Sequence, residues 1–289
     1  MPLEPFQLTR KPGEPAYVTI ERWEREHPGI SAGMTTRIGG VSGPPYGTLN
    51  CALHIQDEPV DVIENRRRLG ETLGWPFEAW TCGEQVHDRQ VAVVTLANRG
   101  KGRESREDAF AHTDAIVTNE PGIWLTSFYA DCVPLYFFDP VRQAVGLAHA
   151  GWKGTVLRIA SETIRTMSEA YGTDPSDVMT AIGPSIGMCC YEVDDAVIAR
   201  IDSCLDEIGA EPGVHSYVYR PGAEYGKWML SLQEMNRQIM IKAGILPTHI
   251  EICGMCTGCR TDLFFSHRKE NGATGRMASW IGLRSASQR

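Results

Sequence analysis

The segment 132–152, CVPLYFFDPVRQAVGLAHAGW, leaves its backbone few choices. Two apolar runs rich in Val, Tyr and Phe flank Asp139-Pro140-Val141-Arg142, and proline suits the second position of a type I turn. The pattern predicts an antiparallel hairpin. About that turn, facing residues have numbers summing to 281, which sets Cys132 opposite His149 with Cα atoms about 4.5–5.5 Å apart. A thiolate and an imidazole so placed can share one metal ion or work as nucleophile and base. A buried cysteine beside a packed histidine is the plainer alternative. After His149, the run Ala150-Gly151-Trp152-Lys153-Gly154-Thr155 reads as a tight turn into a helix, whose free N–H groups and Lys153 would favour an anion.

Composition narrows the rest. With 28 Lys+Arg against 36 Asp+Glu, the formal charge of −8 argues against a nucleic-acid footprint. The longest stretch without Asp, Glu, Lys or Arg, 38–56, holds four glycines and two prolines and is no membrane helix. MPLEPFQLTR has no apolar core after a basic start, so no signal peptide is expected. An odd nine cysteines in 289 residues fits a reduced, cytoplasmic protein rather than a disulfide framework.

Helix and strand signals mix along the chain. Helices are expected over 58–73, capped by Asp57 and stopped at Gly74, over 155–171, from Asp194 to Gly209, and from Ser231 to Gly244. Strands are expected at 91–95, 114–118, 123–129, 133–138, 144–149, 178–182, 249–253 and 276–282. The charge-dense 97–112 reads as an exposed loop. No linker divides the chain, so 1–289 reads as a single α/β domain whose hairpins argue for mixed rather than purely parallel sheets.

Three further features bear on chemistry. Arg66 interrupts the stripe of Val62, Leu69 and Leu73, so it either snorkels out or points into a polar cavity. Arg37, just before Gly39-Gly40, is either an anion contact or a surface loop residue. Cys253-x-x-Cys256-x-x-Cys259 lacks a fourth cysteine in register, which predicts three unligated thiols, with no iron–sulfur cluster and no second zinc.

The sequence resembles the bacterial laccase-domain family, labelled multicopper polyphenol oxidase and associated with zinc-dependent purine nucleoside phosphorylase activity. The resemblance rests on Thr36-Arg-Ile-Gly-Gly-Val-Ser-Gly, Gly47-Thr-Leu-Asn50, Glu64-Asn-Arg66, Gln85-Val-His87, Ala130-Asp-Cys132-Val-Pro and Ala148-His149-Ala-Gly-Trp-Lys153-Gly. It continues through Gly183-Pro-Ser-Ile-Gly-Met-Cys-Cys-Tyr-Glu-Val193, Cys256-Thr257, Phe264-Phe-Ser-His-Arg268 and Thr274-Gly-Arg-Met-Ala278. It implies layered α/β/β/α architecture and a metal site at His87, Cys132 and His149. Of these, His87 is singled out by the resemblance alone. Three ligands leave a fourth position open, as catalytic zinc sites do.

What the resemblance implies is phosphorolysis of adenosine, inosine and methylthioadenosine, together with adenosine deamination. Arg37, Arg66 and Lys153 are then candidates for phosphate, Asn50 for ribose, and Asp131 for catalysis with Arg66 and Cys132. Lys153 stands where arginine is common, which keeps the charge but not the guanidinium fork. Asp88 and His267 also depart from the family pattern, and Cys256 is expected near the floor of the site. Copper suits a His₂Cys set as well, but a four-electron oxidase needs several coppers and more histidines than this chain's eight provide. A metal-free hydrolase using Cys132 and His149 and a non-enzymatic binding protein with a closed zinc site are the other readings.

Overall fold

The structure, a computed structural model, describes residues 4–286; residues 1–3 and 287–289 lie outside it. Two six-stranded sheets stack face to face. The first runs, in spatial order, Gln7–Thr9, Tyr17–Thr19, Ile30–Thr35, Met277–Leu283, Trp124–Tyr129 and Trp80–Cys82. The second runs Ile250–Ile252, Met179–Ile182, Val133–Asp139, Ala144–Ala150, Ala115–Thr118 and Val91–Val93. Both mix parallel and antiparallel pairs. A small third sheet joins Glu192–Asp194, Lys227–Leu230 and Tyr219–Pro221.

Strand periodicity builds the layers. In Val133–Asp139, Val133, Leu135 and Phe137 face helices Ile159–Tyr171, Asp195–Glu207 and Leu232–Lys242, while Tyr136 and Phe138 face the other sheet. The outer face of the first sheet packs Trp80, Trp124 and Trp280 toward Leu69 of helix Pro59–Leu73. The order is helices, sheet, sheet, helices, the layering that the family resemblance implies. Two buried tyrosines tie the sheets: Tyr136 Oη donates to the Gly33 carbonyl at 2.9 Å and Tyr129 Oη to the Ala148 carbonyl at 3.1 Å.

The expected strands all appear, within two residues at their ends. The hairpin register, however, is shifted. Pro134, not Cys132, faces His149. The Asp139 carboxylate accepts the N–H groups of Val141 and Arg142 at 2.8 and 2.9 Å, and Gln143 takes a left-handed φ of 50°, so Asp139 stays in the ladder opposite Ala144. The connection is therefore Pro140 to Gln143, centred one residue later than the turn signal placed it, which moves every strand partner by two. A two-residue shift preserves which face each side chain takes.

Two helices also depart from expectation. Asp57 does not cap helix Pro59–Leu73; Glu58 occupies the cap, and the Asp57 carboxylate instead binds Ser42 Oγ and Asn50 Nδ2. The helix expected over 155–171 is two helices, Trp152–Val156 and Ile159–Tyr171, broken where Arg158 adopts φ 61°. Gln7–Thr9, Tyr17–Thr19, Ile30–Thr35, Trp80–Cys82 and the three strands of the third sheet went unread; most are three residues long, and so short a run shows no period.

Candidate metal centre and its cavity

Residue alternation delivers His149 to the site. Val145 and Leu147 face the inter-sheet core, so His149 comes out on that side at the strand's end, 3% exposed. Cys132 precedes its strand by one residue, and the ladder continued to it sets it opposite Gly151, with His149 diagonal on the same face. His87 arrives from a loop bent by left-handed residues, Gln85 at φ 60° and His87 itself at φ 65°. The Gln85 amide clamps that loop by bonding both the N–H and the carbonyl of Phe128 at 2.8 Å. The His87, Cys132 and His149 donor atoms then lie within 4.8 Å of one another.

One carboxylate orders all this. Asp114 accepts His149 Nδ1 at 2.9 Å, leaving Nε2 for the cluster, and it also accepts the N–H groups of Val86, His87 and Asp88 at 2.9–3.0 Å. A carboxylate behind a ligating imidazole fixes tautomer and ring angle. Sequence reading missed Asp114, whose one signal is an acidic residue at the head of an apolar strand. Gly151 supplies space: a Cβ there would stand 2.9 Å from His87 Cδ2 and 3.1 Å from Cys132 Sγ.

The electrostatics are those of a bound pair. Burial opposes ionisation of Cys132, but the charge of His149 and hydrogen bonds from His149 and His87 outweigh it and bring the thiol down to about 6. Burial likewise opposes protonation of His149, yet the Cys132 thiolate and the Asp114 carboxylate raise it to about 9. The donor set is thus a soft thiolate and two imidazoles at one wall of a cavity, which suits zinc or copper. The cavity has two lobes of about 290 and 460 Å³ that share His87, Asp131, Cys132, Trp152 and Tyr191.

Asp131 adjoins the ligands at φ 85°. Its carboxylate accepts Thr257 Oγ1 at 2.6 Å, Ser266 Oγ at 3.1 Å and the Arg268 N–H at 2.7 Å. It ties three segments together beside Cys132. Cys256 lies one residue before Thr257, behind this wall rather than among the residues lining either lobe.

The basic residues separate. Lys153 lines the smaller lobe. Arg66 does not snorkel: it is 1% exposed and donates to the carbonyls of Cys51, Gly102 and Arg103 at 2.8 Å, between the Trp80 and Phe128 rings. Arg37 pairs with Glu270 at 3.0 Å and bonds the Thr261 carbonyl. Neither lines the two lobes, so the three cations do not form one pocket. Asn50 is buried and engaged, its oxygen accepting the Arg276 N–H at 2.9 Å. The guanidinium residues in the larger lobe are Arg268 and Arg276, beside His54 and His267; both arginines lie in quoted motifs, yet no spacing argument selects them. The short helix Trp152–Val156 supplies less dipole than the long one expected there.

Residues 31–284 match the family described as multi-copper polyphenol oxidoreductase laccase. The chain belongs to that family. Among its members, it is 39% identical to the purine nucleoside phosphorylase YlmD of Bacillus subtilis over 285 residues, 98% of each chain. It is 43% identical to YlmD of Geobacillus stearothermophilus over 256 residues, 89% of this chain and 91% of that one. The crystal structure of Geobacillus stearothermophilus YlmD superposes with a TM-score of 0.89 over 98% of this chain and all of its own, at 39% identity. A Neisseria meningitidis family member at 27% identity gives 0.75, covering 98% of this chain and 100% of that one. The family description points to oxidation, the relatives' names to phosphorolysis.

Proposed function

We propose that this chain is a zinc-dependent purine nucleoside phosphorylase, with zinc held by His87 Nε2, Cys132 Sγ and His149 Nε2. The observation that carries this is the convergence of three donor atoms on a cavity wall, backed by Asp114 on the far nitrogen of His149. Bound zinc supplies Lewis acidity and lowers the pKa of water in the open fourth position, which suits adenosine deamination as a companion activity. The chain's own groups do the rest. Phe128, Trp152 and Tyr191 offer ring faces to a purine, while Lys153, Arg268 and Arg276 offer cations to phosphate. Asp131 acts by position, holding Thr257, Ser266 and Arg268 against the ligand loop.

Oxidase chemistry is the less supported reading. Among the described residues, the sets able to hold a metal are this His₂Cys group and one made wholly of cysteines, which offers no histidine-rich cluster for several coppers. A metal-free Cys132–His149–Asp114 hydrolase would leave His87 without a task, although its backbone is bent to bring Nε2 within 3.9 Å of Cys132 Sγ. The test is metal analysis of protein purified without added metal, paired with inosine turnover. Phosphate-dependent release of hypoxanthine with ribose 1-phosphate is expected, lost in His87→Ala together with the zinc of the His87–Cys132–His149 centre. Turnover that survives in His87→Ala lacking the zinc of this centre would sink the proposal.

A further inference from the structure

The sequence offers Cys256 and Cys259 only as two members of an incomplete triplet. The fold completes the set from elsewhere. The sulfurs of Cys189, Cys190, Cys256 and Cys259 all lie within 4.8 Å of one another, with Cys259 at 3.5 Å from both Cys189 and Cys190. We infer that these four cysteines form a second zinc site, closed and structural, separate from the His87–Cys132–His149 centre.

The geometry fits one tetrahedral ion. With Zn–S bonds of about 2.3 Å, sulfurs at the corners of a tetrahedron stand about 3.8 Å apart, inside the range seen here. A disulfide would need about 2.05 Å and would leave two of the four thiols over.

The backbone is built for the same end. Cys256 and Cys259 sit on one tight turn, where the Cys259 and Arg260 N–H groups bond the Cys256 carbonyl at 3.2 and 3.0 Å. Cys189 and Cys190 sit on a second, where the Cys190 and Tyr191 N–H groups bond the Gly187 carbonyl at 3.0 and 3.1 Å. The Gly187 N–H also donates to Cys256 Sγ at 3.2 Å. Gly258 permits the approach, since a Cβ there would stand 2.9 Å from Cys190 Cβ. Four soft thiolates in tetrahedral array select zinc among the common divalent ions, and a full set of protein ligands leaves no open position for chemistry. Cys189 and Cys259 are exposed while Cys256 is buried, which gives the ion a route in and a seat. Cys253 is excluded: it is buried in the inter-sheet core and accepts the Met255 N–H.

Such an ion would brace the catalytic wall from behind. The Cys189–Cys190 turn lies between Ile186 and Tyr191, which line the cavity, and the Ile186 N–H bonds the Asp131 carbonyl at 2.9 Å. The Cys256–Cys259 turn leads from Cys256 to Thr257, which holds the Asp131 carboxylate. The two turns are already paired through the Thr257 N–H and the Ser185 carbonyl at 3.0 Å.

The experiment removes the first site and asks what remains. In the double variant His87→Ala/Cys132→Ala, purified without added metal, mass spectrometry should find one zinc per chain. X-ray absorption at the zinc edge should fit four sulfurs at about 2.3 Å. All four cysteines should resist alkylation until a chelator is added. Absence of zinc from that variant, nitrogen or oxygen in its coordination shell, iron in place of zinc, or a disulfide among the four would each overturn the inference. Adding Cys189→Ser and Cys259→Ser should abolish the remaining zinc; retained zinc in that protein would place it elsewhere. None of these readouts depends on nucleoside turnover, so failure of the proposed activity leaves them interpretable.

Discussion

At the scale of single residues, Cys132 and Asp114 decide the site. In protein stripped of metal, alkylation of Cys132 should titrate with a midpoint near pH 6 rather than the ordinary 9. Below that midpoint the thiol regains its proton and the rate falls. His149→Ala removes the main favourable charge and should move the midpoint up; an unmoved midpoint would show that burial and His87 alone set it. Asp114→Asn should keep the fold but weaken zinc affinity by roughly 10–100-fold, because the imidazole loses its orienting acceptor. Competition with a zinc chelator measures this directly. Gly151→Ala should be worse, since its Cβ would collide with His87 and crowd Cys132 at once.

At the scale of elements, helix Pro59–Leu73 carries a buried arginine whose partners are carbonyls and rings rather than carboxylates. Arg66→Met would fill the volume but remove the guanidinium donors of three carbonyls, leaving the buried Cys51 carbonyl without this partner and the Gly102 carbonyl with only the weak Cys82 Sγ, at about 1 kcal/mol or more for a buried carbonyl so deprived. Destabilisation of about 2–4 kcal/mol in urea unfolding is the expected result. In the folded fraction, the KM for phosphate should stay near that of the parent protein. A selective rise in that KM would return Arg66 to the anion site. The same contacts explain the loop at 97–112, which charge alone marked as exposed: its backbone at Gly102 and Arg103 is held from within by this helix.

At the scale of the whole molecule, the two stacked sheets meet through apolar packing plus the two tyrosine hydroxyls. Tyr136→Phe removes a bond that crosses between sheets and should lower stability by about 1 kcal/mol, read as a lower thermal midpoint with zinc content unchanged. Tyr129→Phe should cost a similar amount and, because the Tyr129 ring packs 5.4 Å from His149, should also alter zinc retention. Equal zinc retention in the two variants would show that the inter-sheet layer does not steer the ligand.

Local pattern in the chain sufficed for the eight strands it marked and for the longer helices, because burial imposes periods of two and 3.6 on neighbours in sequence. It sufficed also to bring Cys132 and His149 to one face, since face parity survives a two-residue slip in register. It could not fix that register, which the Asp139 side chain and Gln143 settled, nor the break at Arg158. Everything requiring distant segments was decided by the tertiary structure alone. Asp114 beneath two ligands, Arg276 held by Asn50, and Cys189 and Cys190 meeting Cys256 and Cys259 leave no period or spacing to read. Their contacts span from tens of residues to 226, and only the packing of distant segments on one another sets such distances.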